Sequence, residues 1–457
     1  MLNILSPLNP PRRPRGFAAA AVVIALGAFH GPAFGVPSKH IVVAQRAKPP
    51  AHIAAAPPAL GFPRDAGPHD AASVIEWWYF NSFFQTAHGR HYAVIGAFFR
   101  TGLSAKSKGH YLIYALADLD ARTREPFSIL DPAEIDLLRS YAALQSVQRP
   151  DDPRPLQLLA LLQRGELPAP HRVAPLDALV ETTPTFSIGF DNNSLAQQDA
   201  TGRSWKANLN GAEWSLELNL DQPTRPAMLV GGSGHTGLRR ANDMQYVSLT
   251  RMAAHGTLTI GGQVDEVTGV GWLDRQWGTS WGVGDNGWDW FGFQLDDGSD
   301  IIVYRVRDNK TGKVLRSDAT LLSKEGIQTV ETDPVMTPSG SAQVIPTSGG
   351  KAGSAQATPF TDPETSITFP QSWTISLPKM GLTLTTNAAF PQQTMPVVGI
   401  GDAIWEGVVR VSGTHAGKPV SGRGYMELVG YKPTPVASPA KTRTSSAAVG
   451  AIGPTRP

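Results

Sequence analysis

The stretch Gly271 to Trp290, "GWLDRQWGTSWGVGDNGWDW", places Asp274, Asp285 and Asp289 among five of the chain's eleven tryptophans. A second stretch, "EWWYFNSFF", sets Glu76 against Trp77, Trp78 and Tyr79. A carboxyl group among indoles loses hydration, so its pKa rises and it becomes a proton donor near neutral pH. The rings beside it offer flat apolar walls and π faces that stabilise a positive charge. Each acid also has a plainer role open to it, capping backbone amides or pairing with Arg100, Arg275 or Arg305. The tryptophans likewise can serve as core.

The elements that carry these residues read as strands. In Trp288 to Leu295 a period of two puts Trp288 and Trp290 on one face, and Asp289 with Phe291, Phe293 and Leu295 on the other. By the same alternation Glu76 shares a face with Trp78 and Phe80, and Trp77 and Trp78 point to opposite faces. Clean alternation recurs in Trp214 to Leu220, from Leu382, and in Ile404 to Val411. Tyr111 to Leu119, Tyr246 to Arg251, Val267 to Trp272 and Ile301 to Arg307 read the same way. Strands at this spacing, with turn residues between them, predict an all-β fold of antiparallel sandwiches or barrels. A short helical insertion is expected at about 131–165, where Asp131-Pro-Ala-Glu134 supplies an N-cap, a first-turn proline and a capping-box glutamate. Glu76 to Arg100 and Trp288 to Arg307 share a plan: a tryptophan-led strand, a Gly-bearing turn, and an apolar strand ending in Arg. That similarity suggests two related β domains.

With 46 Gly and 38 Pro the chain suits a turn-rich β protein better than a helical bundle. A net charge of +2, with no basic stripe, argues against a nucleic-acid partner. The absence of cysteine removes disulfides, thiolate metal sites and a Cys nucleophile. No phosphate loop, G-x-S-x-G or H-E-x-x-H is present and the histidines lack metal spacing, so neither a cofactor nor a metal is expected. Residues 1–35 read as a cleaved signal peptide, with Arg12, Arg13 and Arg15 ahead of the apolar run Phe17 to Phe29. An exported, periplasmic protein is the expectation. Residues 36–70 read as a Pro/Ala-rich linker, about 334–360 as a flexible loop, and 433–457 as a disordered tail. The two domains are then expected over 71–275 and 276–432.

Seven segments carry a resemblance: "EWWYFNSFF" (76–84), "YVSLTRM" (246–252), "VTGVGWLDRQWG" (267–278), "GWDWFGFQLDDGSDIIVYRVRD" (287–308), "SWTISLP" (372–378), "IWEGVVRVSG" (404–413) and "GRGYMELVGY" (422–431). In this order they resemble the carotenoid 1,2-hydratase (hydroxyneurosporene synthase, CrtC) and AttH family of lipocalin-like proteins. The resemblance implies two lipocalin-like β domains enclosing an apolar site. It also implies cofactor-free addition of water to the terminal isoprene double bond of an acyclic carotenoid. That chemistry makes Asp274 or Asp289 the acid, Glu76 a second candidate, and Tyr304 a partner orienting water or the acid. Trp277, Trp288 and Trp290 are the expected walls, and Trp77, Trp78, Tyr79, Trp281 and Trp405 complete the candidate ligand-binding set. The family's hydratase-type segment reads Asp-His-Glu-Trp, whereas this chain has Asp274-Arg275-Gln276-Trp277. A permanent cation and a neutral amide thus stand where two proton-handling groups are expected. The cation would hold Asp274 or a neighbour ionised. The partner implied is a hydrophobic small molecule, an isoprenoid or lipid, with membrane-surface contact and oligomeric state left open. The alternative is a periplasmic lipid- or polyene-binding protein without activity, serving an envelope transport system. A structural role for the tryptophans at a domain junction ranks third.

Overall fold

A computed structural model of the chain describes residues 59–69, 73–102, 108–148, 150–238, 243–279, 286–339, 342–343, 354–355, 358–398 and 403–432. The expected signal peptide, the tail and Trp281 lie outside the described residues, as does most of the expected loop.

Among the described residues two large sheets, of thirteen and ten strands, make up the fold, antiparallel except where Ile129 and Leu130 pair parallel with Arg172 and Val173. The first opens with β1 (Ile75–Thr86), β2 (His91–Thr101), β3 (Gly109–Asp118) and β4 (Thr123–Leu130). Its last two strands are Met244–Ile260 and Gln263–Gly278, and the latter closes back onto β1. The second sheet repeats this closure. It opens with the hairpin Asn286–Leu295 and Asp300–Asp308, and its last strand, Lys418–Val429, pairs with Asn286–Leu295. The repeated plan is therefore visible in the pairing. Glu76 lies across from Arg100 in the first hairpin, and Asp289 across from Arg305 in the second. At the two turns Gly89 and Gly298 take φ of +80° and +87°, which glycine adopts without strain.

Each sheet curls around an apolar cluster of its own. Trp78, Phe80, Trp205 and Leu218 belong to the first. Phe291, Phe293, Trp373 and Trp405 belong to the second. A third cluster joins the sheets and draws Tyr79, Ile95 and Tyr246 from one, and Trp290, Tyr304 and Val408 from the other. Alternation makes this possible, because one face of each central strand fills its own curl and the other meets the partner sheet.

Between β4 and the rest of its sheet lie α1 (Pro132–Gln148) and α2 (Arg154–Gln163). Asp131 caps α1, accepting from the Glu134 amide at 2.7 Å. The reciprocal half of the expected capping box does not form. Glu134 instead turns inward, accepts from the Thr101 hydroxyl, and burial pushes its carboxyl up to about 8.

Three sequence expectations need revision. The switch between sheets falls between Gly278 and Asn286, so a boundary at 275 would cut a strand that Asp274 and Trp277 share. Val335–Pro338, expected as loop, is a strand on the edge of the second sheet. The end of the expected linker is docked: Ala66 is buried, its carbonyl accepts from the Trp78 indole at 2.8 Å, and Phe62 meets Trp205 edge-on.

Candidate functional site

The inter-sheet cluster lines a cavity of about 80 Å³ that is partly open to solvent. Its walls follow from strand parity. Trp77 and Tyr79 come from β1, Ile95 and Phe99 from β2, and Asp274 and Gln276 from Gln263–Gly278. The second sheet supplies Trp288, Trp290 and Tyr304 from its first hairpin, Glu406 from Ile404–His415, and Glu427 from Lys418–Val429. Gly292 shapes the wall, because a Cβ there would meet the Trp290 ring at 2.5 Å. Without one, the indole folds down over the strand.

Three carboxyl groups face this cavity, each in a different setting. Asp274 accepts from Ser248 Oγ (2.5 Å), Tyr246 Oη (2.6 Å) and Trp272 Nε1 (2.6 Å). Trp290 Nε1 in turn donates to Tyr246 Oη at 3.0 Å, so the second sheet props a donor of the first. Complete burial pushes Asp274 up, the three donors hold it back, and it settles at about 6. Glu406 and Glu427 lie directly opposite each other on neighbouring strands. Burial, then the neighbouring Glu427 carboxyl, push Glu406 well above the usual carboxylate range. Burial lifts Glu427 to about 7, against a hydrogen bond from Trp288. Tyr79 Oη donates to Glu406 Oε1 at 3.0 Å and itself accepts from Asn81 Nδ2 at 3.2 Å. Burial keeps Tyr79 and Tyr246 protonated, so both remain donors. Near neutral pH the cavity thus holds protonated carboxyl on one wall and a hydrogen-bonded carboxylate on the other.

The sequence candidates divide between this cavity and two ion clusters outside it. Asp274, Tyr304, Trp77, Tyr79, Trp288 and Trp290 line the cavity. Tyr304 donates to Asp318 Oδ2 at 2.9 Å. Glu76 does not line it. Its carboxylate receives Arg275 at 2.5 Å, Arg100 at 3.0 Å and the His69 amide at 3.0 Å. Although burial opposes it, the Arg275 charge leads the effects that hold this carboxyl far below the usual range, the reverse of a proton donor. Trp78 and Trp277 belong to the same cluster: Arg275 lies over Trp78 at 3.8 Å, and Trp277 stacks on His69 at 4.0 Å. Asp289 is the counterpart in the second sheet, held by Arg305 at 2.7 Å, Arg307 at 3.4 Å and Tyr431 Oη at 2.8 Å. Trp405 is fully buried in the second sheet's own core, its indole donating to Pro391 O at 2.8 Å.

Arg275 therefore sits on the opposite strand face from Asp274 and neutralises Glu76 instead. Gln276 is in the cavity, and the repeat shows what its position can hold. Gln276 lies across from Trp77 in the first sheet as Glu427 lies across from Trp290 in the second. The acid absent from one sheet is present at the matching place in the other. Glu406 and Glu427 were not among the sequence candidates. The signal for both was a lone acid within an otherwise apolar strand, in "IWEGVV" and "YMELV". Among the described residues no group of three or more His, Cys, Asp or Glu could hold a metal ion.

Two curled antiparallel sheets enclosing an apolar, acid-bearing cavity define a protein of lipocalin-like class. Residues 171–431, more than half of the chain, match the AttH-like family, and the chain belongs to that family. The fold is similar to that of a protein described as AttH from Nitrosomonas europaea, at 22% identity over 82% of this chain and 97% of that one, with a TM-score of 0.58. It is also similar to kievitone hydratase from Nectria haematococca, at 15% identity over 81% of this chain and 93% of that one, with a TM-score of 0.57. Both likenesses concern the fold. No curated protein matches the sequence.

Proposed function

We propose that the chain binds an apolar isoprenoid in the inter-sheet cavity and adds water across one of its double bonds by acid catalysis, as a carotenoid 1,2-hydratase does. The observation that carries this reading is the pairing of unlike carboxyls across an indole-lined space. Glu427, lifted to about 7 beside Glu406, gives its proton to the less substituted alkene carbon. The tertiary cation that results faces Trp77, Trp288 and Trp290. Asp274, mostly ionised near neutral pH, takes a proton from the water that adds to the cation. The product is a tertiary alcohol, and passing the proton from Asp274 back to Glu427 through solvent restores the site. The name of the hydratase neighbour is consistent with this class of reaction.

The test is incubation of the purified protein with neurosporene or lycopene, with products analysed by mass. A gain of one water, lost in Glu427→Gln and in Asp274→Asn, is the expected result. Quenching of tryptophan fluorescence by the polyene, with no product, would replace the reaction by the second reading, a non-catalytic lipid or polyene carrier. Gln276 in place of an acid favours that reading. We further propose that residues 1–35 direct export to the periplasm, which fractionation of cells expressing the full chain tests.

A further inference from the structure

At the far end of the seam between the sheets an open groove is lined by Arg251, Arg410, Arg423, Gln294, Asp296 and Ser421. Arg410 and Arg423 lie directly opposite each other on neighbouring strands. Like charges in that relation repel, and a sheet gains by placing an acid across from an arginine. Here neither has a carboxylate partner among the described residues. Arg423 is steered instead by an aromatic face, its guanidinium 4.9 Å from the Phe83 ring. Arg251 reaches the groove from the first sheet. It sits at a β-bulge between Leu249 and Met252 with φ of +55°, a strained value for a non-glycine residue that re-aims its side chain. Contacts to Asp300 Oδ1 (2.8 Å), Leu295 O (2.8 Å) and Ser299 O (3.0 Å) fix it there.

The acids nearby do not cancel this charge. Asp300 is shared between Arg251 and Arg225. Asp297 is taken by His415 at 2.7 Å and by Ser299. Asp296 accepts from the amide (3.1 Å) and hydroxyl (2.5 Å) of Ser421 and offsets one arginine of the groove. Gln294 adds an independent sign of a ligand. It is 6% exposed, its Nε2 donates to Gly271 O at 3.1 Å, and its Oε1 has no hydrogen-bond partner. A buried acceptor left open at a groove wall costs stability until something donates to it.

We propose that this groove binds a phosphate group. Guanidiniums from three strands approach the phosphate oxygens, and a protonated phosphate oxygen donates to Gln294 Oε1. Three guanidiniums suit an anion that presents several oxygens better than a planar carboxylate, which one fork satisfies. The site is separate from the cavity: Phe83 and Tyr425, with ring centroids 5.4 Å apart, stand between the arginines and the carboxyls. It therefore does not depend on the reaction proposed above. Burial and the Arg251 charge both lower the Arg423 pKa, a cost that a bound anion relieves.

The phosphate can belong to a soluble molecule or to a lipid headgroup, and the experiment separates the two. The full chain is titrated calorimetrically with pyrophosphate at low ionic strength, and floated with phosphatidylcholine vesicles with and without phosphatidic acid. Pyrophosphate binding weakened roughly tenfold for each arginine removed in Arg410→Gln and Arg423→Gln supports a soluble ligand. Binding seen only with phosphatidic acid vesicles, and lost in the same variants, supports a headgroup. Absence of both, or binding unchanged in the variants, overturns the proposal. A second measurement uses the unaltered protein. Phenylglyoxal labelling of Arg410 and Arg423, read by mass, should be suppressed by the bound anion, and full labelling under saturating anion also overturns the proposal.

Discussion

Replacing Glu76 by Gln separates a structural acid from a chemical one. Glu76 and Arg275 are both fully buried, and Arg100 is 6% exposed, so the substitution leaves two enclosed guanidiniums without their anion. Removing one partner of a buried pair typically costs about 3–5 kcal/mol. The amide oxygen can still accept one bond, which places this variant toward the lower end. For a chain of this size that is a fall in Tm of about 3–5 °C. The pH dependence has a fixed sign. The folded carboxyl is held below its usual value near 4.5, so its contribution is complete above that pH and fades as acid pulls the pH toward the folded value. The Gln variant should therefore lose stability at pH 7 and approach the parent protein in acid. Thermal unfolding from pH 3 to pH 8 measures both, while carotenoid turnover per folded molecule stays unchanged. A variant with an unaltered Tm but no turnover would show that Glu76 takes part in chemistry, and the assignment of the two ion clusters as structural would be wrong.

Asp289→Asn should behave like Glu76→Gln, lowering Tm without ending turnover, because Arg305 and Arg307 lose the same kind of anion. Turnover should follow a bell: it falls as the pH drops below about 6, where Asp274 gains its proton, and falls as it rises above about 7, where Glu427 loses its own. A flat profile between pH 5 and pH 8 would remove both from the reaction. Glu134→Gln tests the buried acid under α1. Its folded pKa is raised to about 8, so the stability it contributes is full below about 4.5 and lost as pH rises to 8; the Gln variant should be the more stable protein at pH 8.5, by urea unfolding. Finally, Trp288→Leu and Trp290→Leu should each weaken polyene quenching, whereas Trp405→Leu should lower stability and leave quenching alone.

Strand parity carried most of what was legible beforehand. It correctly set Trp77 against Trp78, and Trp288 and Trp290 against Asp289. What parity lacks is the identity of each face. Asp289 was seen to share a side with Phe291 and Phe293, yet that side proved to be the second sheet's own core, where an acid needs arginines and finds Arg305 and Arg307. Trp277 was expected among the walls for the same reason, and it lies instead against His69, from a segment whose composition reads as a linker. Glu406 and Glu427 were hidden differently. Alternation along their strands does not say which side meets the other sheet, and only the closing of one sheet on the other turns those acids toward a shared space.

Because Asp274 hangs from one sheet and the two glutamates from the other, the spacing of these carboxyls is a packing distance. Residues such as Phe83 and Tyr425, which do not line the cavity, act as shims whose thickness sets how far the jaws stand apart. Relatives could then be retuned for larger or smaller guests by trading bulk along the seam, leaving every proton-bearing group in place.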